Sequence, residues 1–169
     1  EFRRVLFRSD TTRKFLWQLA DGSFIESVLI PANPSLYGEV SDRHTLCVST
    51  QVACAYGCKF CASGLDGWKR NLAPEEIVEQ VLAVERWNVA ERARINGQES
   101  SVSAAGARPA PPDARLVNNL VIMGMGEPLA NFRAVVPAIR IMLDDLGFDI
   151  SRRRVTLSTS GLVPQIYKL

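Results

Sequence analysis

Residues 47–61 read CVSTQVACAYGCKFC and hold all four cysteines of the chain. Cys54, Cys58 and Cys61 form a C-x3-C-x2-C run, and Cys47 stands before it. Thiols clustered in one short segment, with no export signal in the sequence, point to metal or redox chemistry in a reducing cytoplasm rather than to a disulfide framework. A closed zinc site takes four ligands, commonly as two paired knuckles, and here there is one cluster. His44 or Cys47 as fourth ligand would sit on or before a strand, away from the loop. An iron–sulfur cluster suits the spacing better, because thiolates hold it and three thiolates on four irons leave one iron open to an exogenous ligand. Zinc and plainly buried cysteines stay open as alternatives at this point.

A second candidate is GMGEP. Gly124 and Gly126 let the backbone approach a ligand closely, and Glu127 offers a carboxylate to an ammonium. The rival reading, a dinucleotide fingerprint G-x-G-x-x-G, fails because Leu129 stands where the third small residue belongs. A third polar segment, STSG at 158–161, follows another apolar run.

These segments need elements to position them. TRKFLWQLADGSFIESVLIP, within residues 10–31, predicts a β-hairpin. Phe15, Trp17 and Leu19 alternate with polar or small neighbours, Asp21-Gly22 is a tight-turn dipeptide, and Phe24 to Ile30 is the return strand, ended by Pro31. Residues 32–43 read as a loop. HTLCVST predicts a strand, with the cysteine run leaving its C-terminal end. Pro74 opens a helix with Glu75 and Glu76 at its positive end. Ile77, Val78, Val81, Leu82 and Val84 give it an apolar stripe, and it is expected to run to about Ile95 and stop near Gly97. Residues 96–115, small, polar and Pro-rich, read as a flexible surface insertion. LVNNLVIMG is a strand ending in GMGEP. A helix is expected over 132–146, ending at Gly147, with a kink or late start at Pro137. RRVTLST is a further strand, and a new helix begins near Pro164. From residue 44 onward the order β-α-β-α-β-α implies a parallel sheet with right-handed crossovers. Sites in such sheets lie at the carboxyl ends of the strands, where the cysteine run, GMGEP and STSG all fall.

The chain has 169 residues, 47% hydrophobic and 22% charged, an ordinary composition for one globular domain. No run approaches ~20 apolar residues, so no membrane span is expected. The formal net charge of +2 resides in the opening EFRRVLFRS, which carries Arg3, Arg4 and Arg8 against Glu1. That opening matches, codon for codon, the translation of a common sequencing-library adapter (GAG TTC AGA CGT GTG CTC TTC CGA TCT). Residues 1–9 are therefore expected to be an artefact outside the fold. Without them basic and acidic residues balance, and bulk charge gives no hint of a nucleic-acid partner. The far end, GLVPQIYKL, stops without cap or tail, so the sequence is expected to be truncated there.

The wording of the motifs carries a resemblance. C-x3-C-x-aromatic-C, with Phe60 before Cys61, resembles the signature of radical S-adenosylmethionine enzymes, and GMGEP is similar to their GGEP-like segment. TLCVSTQVACAYGCKFCASG, RNLAPEEIVEQV, NLVIMGMGEPLANF, IMLDDLGFDISRRRVTLSTSGLVPQIYKL and IESVLIP narrow it. They closely resemble the bacterial adenine-C2 methyltransferases of 23S ribosomal RNA, which also modify transfer RNA. The resemblance runs from about Arg13 to Leu169. It departs at Ala53, where the family usually has Gly, and in two longer loops, 32–43 and 96–115.

The resemblance implies an α/β fold: the N-terminal part of a (βα) radical S-adenosylmethionine partial TIM barrel over 44–169, preceded by the hairpin. It implies a 4Fe–4S cluster on Cys54, Cys58 and Cys61, and S-adenosylmethionine chelating the open iron through its amino and carboxylate groups. Gly126, Glu127 and Ser158 match cofactor-binding positions, and Phe60 the position whose ring lies near the adenine moiety. Glu26 matches the proton acceptor. Cys47 matches the cysteine that forms a transient disulfide with a second, methyl-carrying cysteine absent from this chain. One cofactor molecule methylates that second cysteine, and another supplies the deoxyadenosyl radical. The methyl-derived radical adds to C2 of adenine, Glu26 takes the C2 proton, and Cys47 releases the product. The implied partners are 23S ribosomal RNA, transfer RNA and a low-potential electron donor such as a flavodoxin or ferredoxin, with the protein monomeric. The chain alone is expected not to methylate, since it lacks the second cysteine and about half a barrel. The alternatives are another radical enzyme, including the sister methyltransferase acting at C8 of the same adenine, and a zinc-stabilised RNA-binding module without catalysis.

Without the resemblance, plainer roles are available. Glu26 can face solvent on a strand, Cys47 can be a small buried hydrophobe, and Ser158 can cap something local. Arg152 to Arg154 can touch RNA phosphates or lie solvated along a strand. His44 reads as structural, and Trp17, Trp68 and Trp87 as packing residues.

Overall fold

The computed structural model describes residues 4–9, 12–32, 42–65, 67–98 and 115–169. A six-stranded sheet runs in the order β1-β2-β3-β4-β7-β8. Strands β1 (Arg4–Ser9), β2 (Thr12–Gln18), β3 (Phe24–Pro31) and β4 (His44–Cys47) each run antiparallel to the next, whereas β4, β7 (Asn119–Ile122) and β8 (Val155–Leu157) are parallel. The two parallel crossovers are helix α1 (Pro74–Gln98) and helix α2 (Phe132–Leu143). This is the βαβαβ arrangement expected from the hydrophobic pattern. The expected loop at 32–43 and the insertion at 96–115 lie largely outside the described residues.

The hairpin forms because β2 and β3 alternate strictly. Phe15, Trp17, Ile25, Ser27 and Leu29 turn inward, and their neighbours turn out. Its turn is fixed by Gly22 at φ +82° and by Asp21, whose carboxylate accepts the Ser23 N–H at 2.9 Å. Phe15 stacks on Trp17 at 5.2 Å and meets the edge of Trp87 on α1 at 5.3 Å, which seats the hairpin against the first crossover helix. Residues 1–9 are expected from the sequence to lie outside the fold; of these, 4–9 run as β1 along the outer edge of β2. An open edge pairs through its backbone and accepts any extended segment.

Helix α1 starts as its sequence implies. Pro74 is its first residue, and Glu76 accepts the Ala73 N–H at 2.9 Å, the reciprocal half of a capping box. Arg70 then forks onto Glu76 at 2.7 and 2.8 Å and reaches Asp21 at 2.6 Å, tying the hairpin turn to the start of α1. The guanidinium holds the Asp21 carboxyl down at about 2 and Glu76 below its usual range.

Helix α2 ends three residues earlier than its apolar pattern suggests. Asp144 turns extended, and its carboxylate takes the Leu146 N–H at 2.9 Å, a local bond that competes with continued helix. Pro137 is the sixth residue of the helix, past the four amides that lack partners, so it removes the bond to the Arg133 carbonyl, yet the helix runs through it to Leu143. One element has no signal in the hydrophobic pattern. Strands β5 (Gln51–Val52) and β6 (Arg70–Asn71) pair as a two-residue ribbon across the two ends of the cysteine loop.

Candidate active site

Three loops leave the carboxyl ends of the adjacent parallel strands β4, β7 and β8, and hydrogen bonds between buried groups join them. After β4, the run Ser49-Thr50-Gln51 is wholly buried. Thr50 and Gln51 donate their N–H groups to Met125 O at 2.8 and 3.2 Å, and Met125 donates to Ser49 Oγ at 2.9 Å. The Gln51 side-chain oxygen accepts the Ala55 and Glu127 N–H groups at 3.1 and 3.0 Å, so one amide links the cysteine loop to GMGEP. Gln80 of α1, fully buried, accepts from Ser27 Oγ and Ser49 N at 2.8 and 2.9 Å and donates to Ser49 O at 2.9 Å. Asn131 donates to Thr50 O and Leu72 O at 2.9 and 2.8 Å. These amides were invisible as site residues in the sequence. Their one signal is a polar side chain where the pattern calls for an apolar one, as with Gln80 between Ile77 and Val81.

The glycines of GMGEP serve this crossing. A Cβ on Gly124 would stand 2.6 Å from Val48 O, and one on Gly126, at φ +102°, would stand 2.6 Å from Gln51 Cβ. The close approach that both glycines permit is thus to the neighbouring chain segment after β4.

Glu127 clamps the second loop to the third. Its buried carboxylate accepts Leu129 N at 2.9 Å and Thr159 Oγ1 at 2.7 Å on one oxygen, and Ser160 N at 2.7 Å and Ser160 Oγ at 2.8 Å on the other. Burial pushes the carboxyl up, but the donors from Ser160, Thr159 and Leu129 outweigh it, and the group lies below its usual value. Ser158 continues the β7–β8 ladder by donating its N–H to Ile122 O at 3.2 Å.

The thiols divide into two environments. Cys54, Cys58 and Cys61 are half-buried in the loop between β5 and β6, and Cys47 lies within β4, opposite Val28 and Val121. All four are free. Burial pushes the Cys47 thiol up, against a weaker opposing hydrogen bond from the Met123 backbone. In the loop, Tyr56 donates its N–H to Cys54 Sγ at 3.4 Å, and Cys61 N–H closes a turn onto Cys58 O at 3.0 Å. Among the described residues no three His, Cys, Asp or Glu side chains close around one ion. The donors in this loop are three thiols, one fewer than a closed zinc tetrahedron takes, with an amide aimed at one sulfur. Phe60 points outward, 93% exposed. Ala53, at φ +60°, is a residue with a side chain in the left-handed region.

Glu26 lies on β3 across from the cysteine loop. Its backbone carbonyl accepts Ser49 Oγ at 2.6 Å, and its carboxylate pairs with Lys14 Nζ at 2.6 Å. Between them opens a cavity of about 640 Å³, with Glu26, Val52, Ala53, Ala62, Ser63 and Met125 in its wall. Glu26 thus shares a cavity with Ala53, Ala62 and Ser63 of the cysteine loop and Met125 of GMGEP, while Cys47, Cys54, Cys58, Cys61, Phe60, Gly126, Glu127 and Ser158 are not in its wall.

No protein-family model matches the chain. Over 161 residues, 95% of its length, it is 48% identical to the probable dual-specificity RNA methyltransferase RlmN of Akkermansia muciniphila. The crystal structure of a radical SAM methyltransferase from Sphaerobacter thermophilus matches 99% of it with a TM-score of 0.73 at 39% identity. The chain is similar to methyltransferases of this kind over almost its whole length. It spans 38% of the first protein and 41% of the second, about two fifths of each. The α/β sheet with its parallel βαβαβ portion is the fold shared with that structure. No helix among the described residues is long and apolar enough to cross a membrane.

Proposed function

We propose that this chain is the cluster-bearing part of a radical SAM methyltransferase that methylates C2 of adenine in 23S ribosomal RNA and transfer RNA. One observation carries the reading. The three-thiol loop, GMGEP and STSG converge on the carboxyl ends of adjacent parallel strands, in a chain 48% identical to a protein named as an RNA methyltransferase. Cys54, Cys58 and Cys61 would hold a 4Fe–4S cluster, and Gly126, Glu127, Ser158 and Phe60 would face S-adenosylmethionine. When bound, the cluster supplies the single electron that cleaves the cofactor's sulfonium.

The chain's own residues do the rest. The Gln51 amide and the Glu127 carboxylate hold the three loops at fixed separation, which is positioning that raises effective molarity. Glu26 presents its carboxylate to a cavity roomy enough for a nucleobase and accepts the adenine C2 proton on an Oε atom. Cys47, a thiol held protonated by burial, stays unreactive until a base removes its proton. That suits a step at the end of turnover, when its thiolate attacks the sulfur of a second cysteine, elsewhere in the parent protein, that is joined through a methylene to adenine C2: the S–S bond forms as that S–C bond breaks, and the carbon leaves with the electron pair and takes up a proton to become the methyl group. A low-potential flavodoxin or ferredoxin would serve as donor, in the cytoplasm, to a monomeric enzyme.

Anaerobic reconstitution with iron and sulfide tests the reading. The expected result is broad visible absorbance that bleaches on reduction, with deoxyadenosine formed from S-adenosylmethionine and no RNA methylation by this chain alone. A colourless protein carrying one stoichiometric zinc would refute it.

A further inference from the structure

The mouth of the Glu26 cavity has a composition that cluster chemistry does not require. Its rim carries Lys14 and Phe24 from the hairpin and Lys69 from the returning arm of the cysteine loop. Phe24 stands on the outward face of β3 with 49% of its surface exposed, although Ile25 beside it is fully buried. Trp68, next to Lys69, is 54% exposed, whereas Trp17 and Trp87 are buried. The Lys14–Glu26 pair is open to solvent on both sides, 43% and 38% exposed, so it exchanges partners readily. Phe24 is the aromatic face in the cavity wall, Trp68 lies beside the rim in sequence, and the Asp21 carboxylate on the same rim is paired with Arg70. Two ammonium groups beside an exposed ring at a polar cavity match the way proteins hold single-stranded nucleic acid: cations take phosphates, and rings take base faces without sequence preference.

We propose that this mouth grips a single-stranded RNA segment, with Phe24 stacked on one base and Lys14 and Lys69 each on a phosphate. Lys14 then leaves Glu26 for the phosphate, so that RNA binding frees the carboxylate as the strand arrives. The inference rests on the assignment of Glu26 as proton acceptor and extends it to substrate capture.

The test is fluorescence anisotropy of a labelled eight-nucleotide adenine-containing RNA titrated with the full 169-residue chain at several salt concentrations. Phe24→Leu is expected to weaken binding about tenfold and Phe24→Tyr to leave it intact, because stacking needs a ring. Lys14→Gln with Lys69→Gln is expected to make the salt slope shallower by about 1.4, at ~0.7 per phosphate on a single strand. Arg152→Gln with Arg153→Gln, at the amino end of β8, is expected to change nothing. These are exposed positions, and far-UV circular dichroism checks the fold; should Phe24→Leu unfold, the lysine pair decides. No RNA binding by the unsubstituted chain, binding indifferent to the Phe24 and lysine changes, or loss confined to the arginine variant would each overturn the proposal. Reconstitution of the same preparation separates the two claims. A protein that forms the cluster but binds RNA indifferently sinks this inference alone, and one that forms none sinks the functional reading.

Discussion

Glu127→Gln is the sharpest probe of how the site is held together. The substitution keeps the side chain's shape and replaces one oxygen by an amide nitrogen. The four donors on the carboxylate are two hydroxyls, Thr159 and Ser160, and two backbone amides, Leu129 and Ser160, one of each kind per oxygen. A hydroxyl can rotate to accept from the new nitrogen; a backbone N–H cannot. Turned one way the amide nitrogen faces the buried Leu129 N–H, and turned the other it faces the part-buried Ser160 N–H, so one backbone donor is left without its acceptor in either case. An orphaned buried donor costs about 1–3 kcal/mol, and the surviving bonds lose their charge assistance, for a total of about 2–4 kcal/mol. That is a large share of the ~5–15 kcal/mol that holds a domain folded. Urea denaturation of both proteins measures it. The pH dependence supplies a second check. The Glu127 carboxyl is depressed in the folded state from an ordinary value of 4.5. Its stabilisation is therefore fully present above that value and is lost as pH falls through the folded one. The gap between the two proteins should narrow on acidification. A gap below about 0.5 kcal/mol at pH 7, or one indifferent to acid, would refute the clamp.

Further expectations concern the same loops. Gly126→Ala forces a Cβ to 2.6 Å from Gln51 Cβ at φ +102° and should cost about 3 kcal/mol in the same denaturation assay. Ala53→Gly relieves a left-handed alanine at φ +60° and should stabilise by about 0.5–1 kcal/mol after the added unfolded-state freedom is deducted, read as a raised denaturation midpoint. Gln80→Leu preserves volume but strands both backbone groups of Ser49, and a loss of about 2–4 kcal/mol in the urea midpoint is expected. Cys58→Ala should abolish iron and sulfide incorporation while Cys47→Ala leaves it intact; equal loss in both would place Cys47 among the ligands.

Much of this architecture was legible from periodicity. The two-residue alternation of Phe15, Trp17 and Leu19 marked the hairpin, and the spacing of Ile77, Val81 and Val84 marked the first crossover, because burial selects those periods directly. The end of α2 was misjudged because apolar spacing does not register a carboxylate such as Asp144 claiming a backbone amide. The ribbon β5–β6 is too short for any period. At the site, residue types and spacing exposed the thiols and GMGEP, whose chemistry is carried by the side chains themselves. Gln51, Gln80 and Asn131 stayed hidden, since an amide's role depends on which backbone groups surround it, and only the assembled strands decide that. Gly124 and Gly126 do permit close backbone approach, but to Val48 and Gln51 rather than to a ligand.

The ribbon between β5 and β6 turns the cysteine segment into a noose with its neck drawn tight. Pairing of Val52 with Arg70, reinforced by Gln51 Nε2 to Asn71 Oδ1 at 2.7 Å, joins the two ends of a stretch of about 17 residues before anything enters it. Closing such a stretch from a free chain costs about 2.5 kcal/mol by the logarithmic law of loop entropy. With the neck tied by folding, the three thiols are confined to one closed loop, at a local concentration that folding has set, although their side chains do not close around a single point. Loosening the neck would dilute all three at once, weakening their grip on whatever they hold without altering a single sulfur.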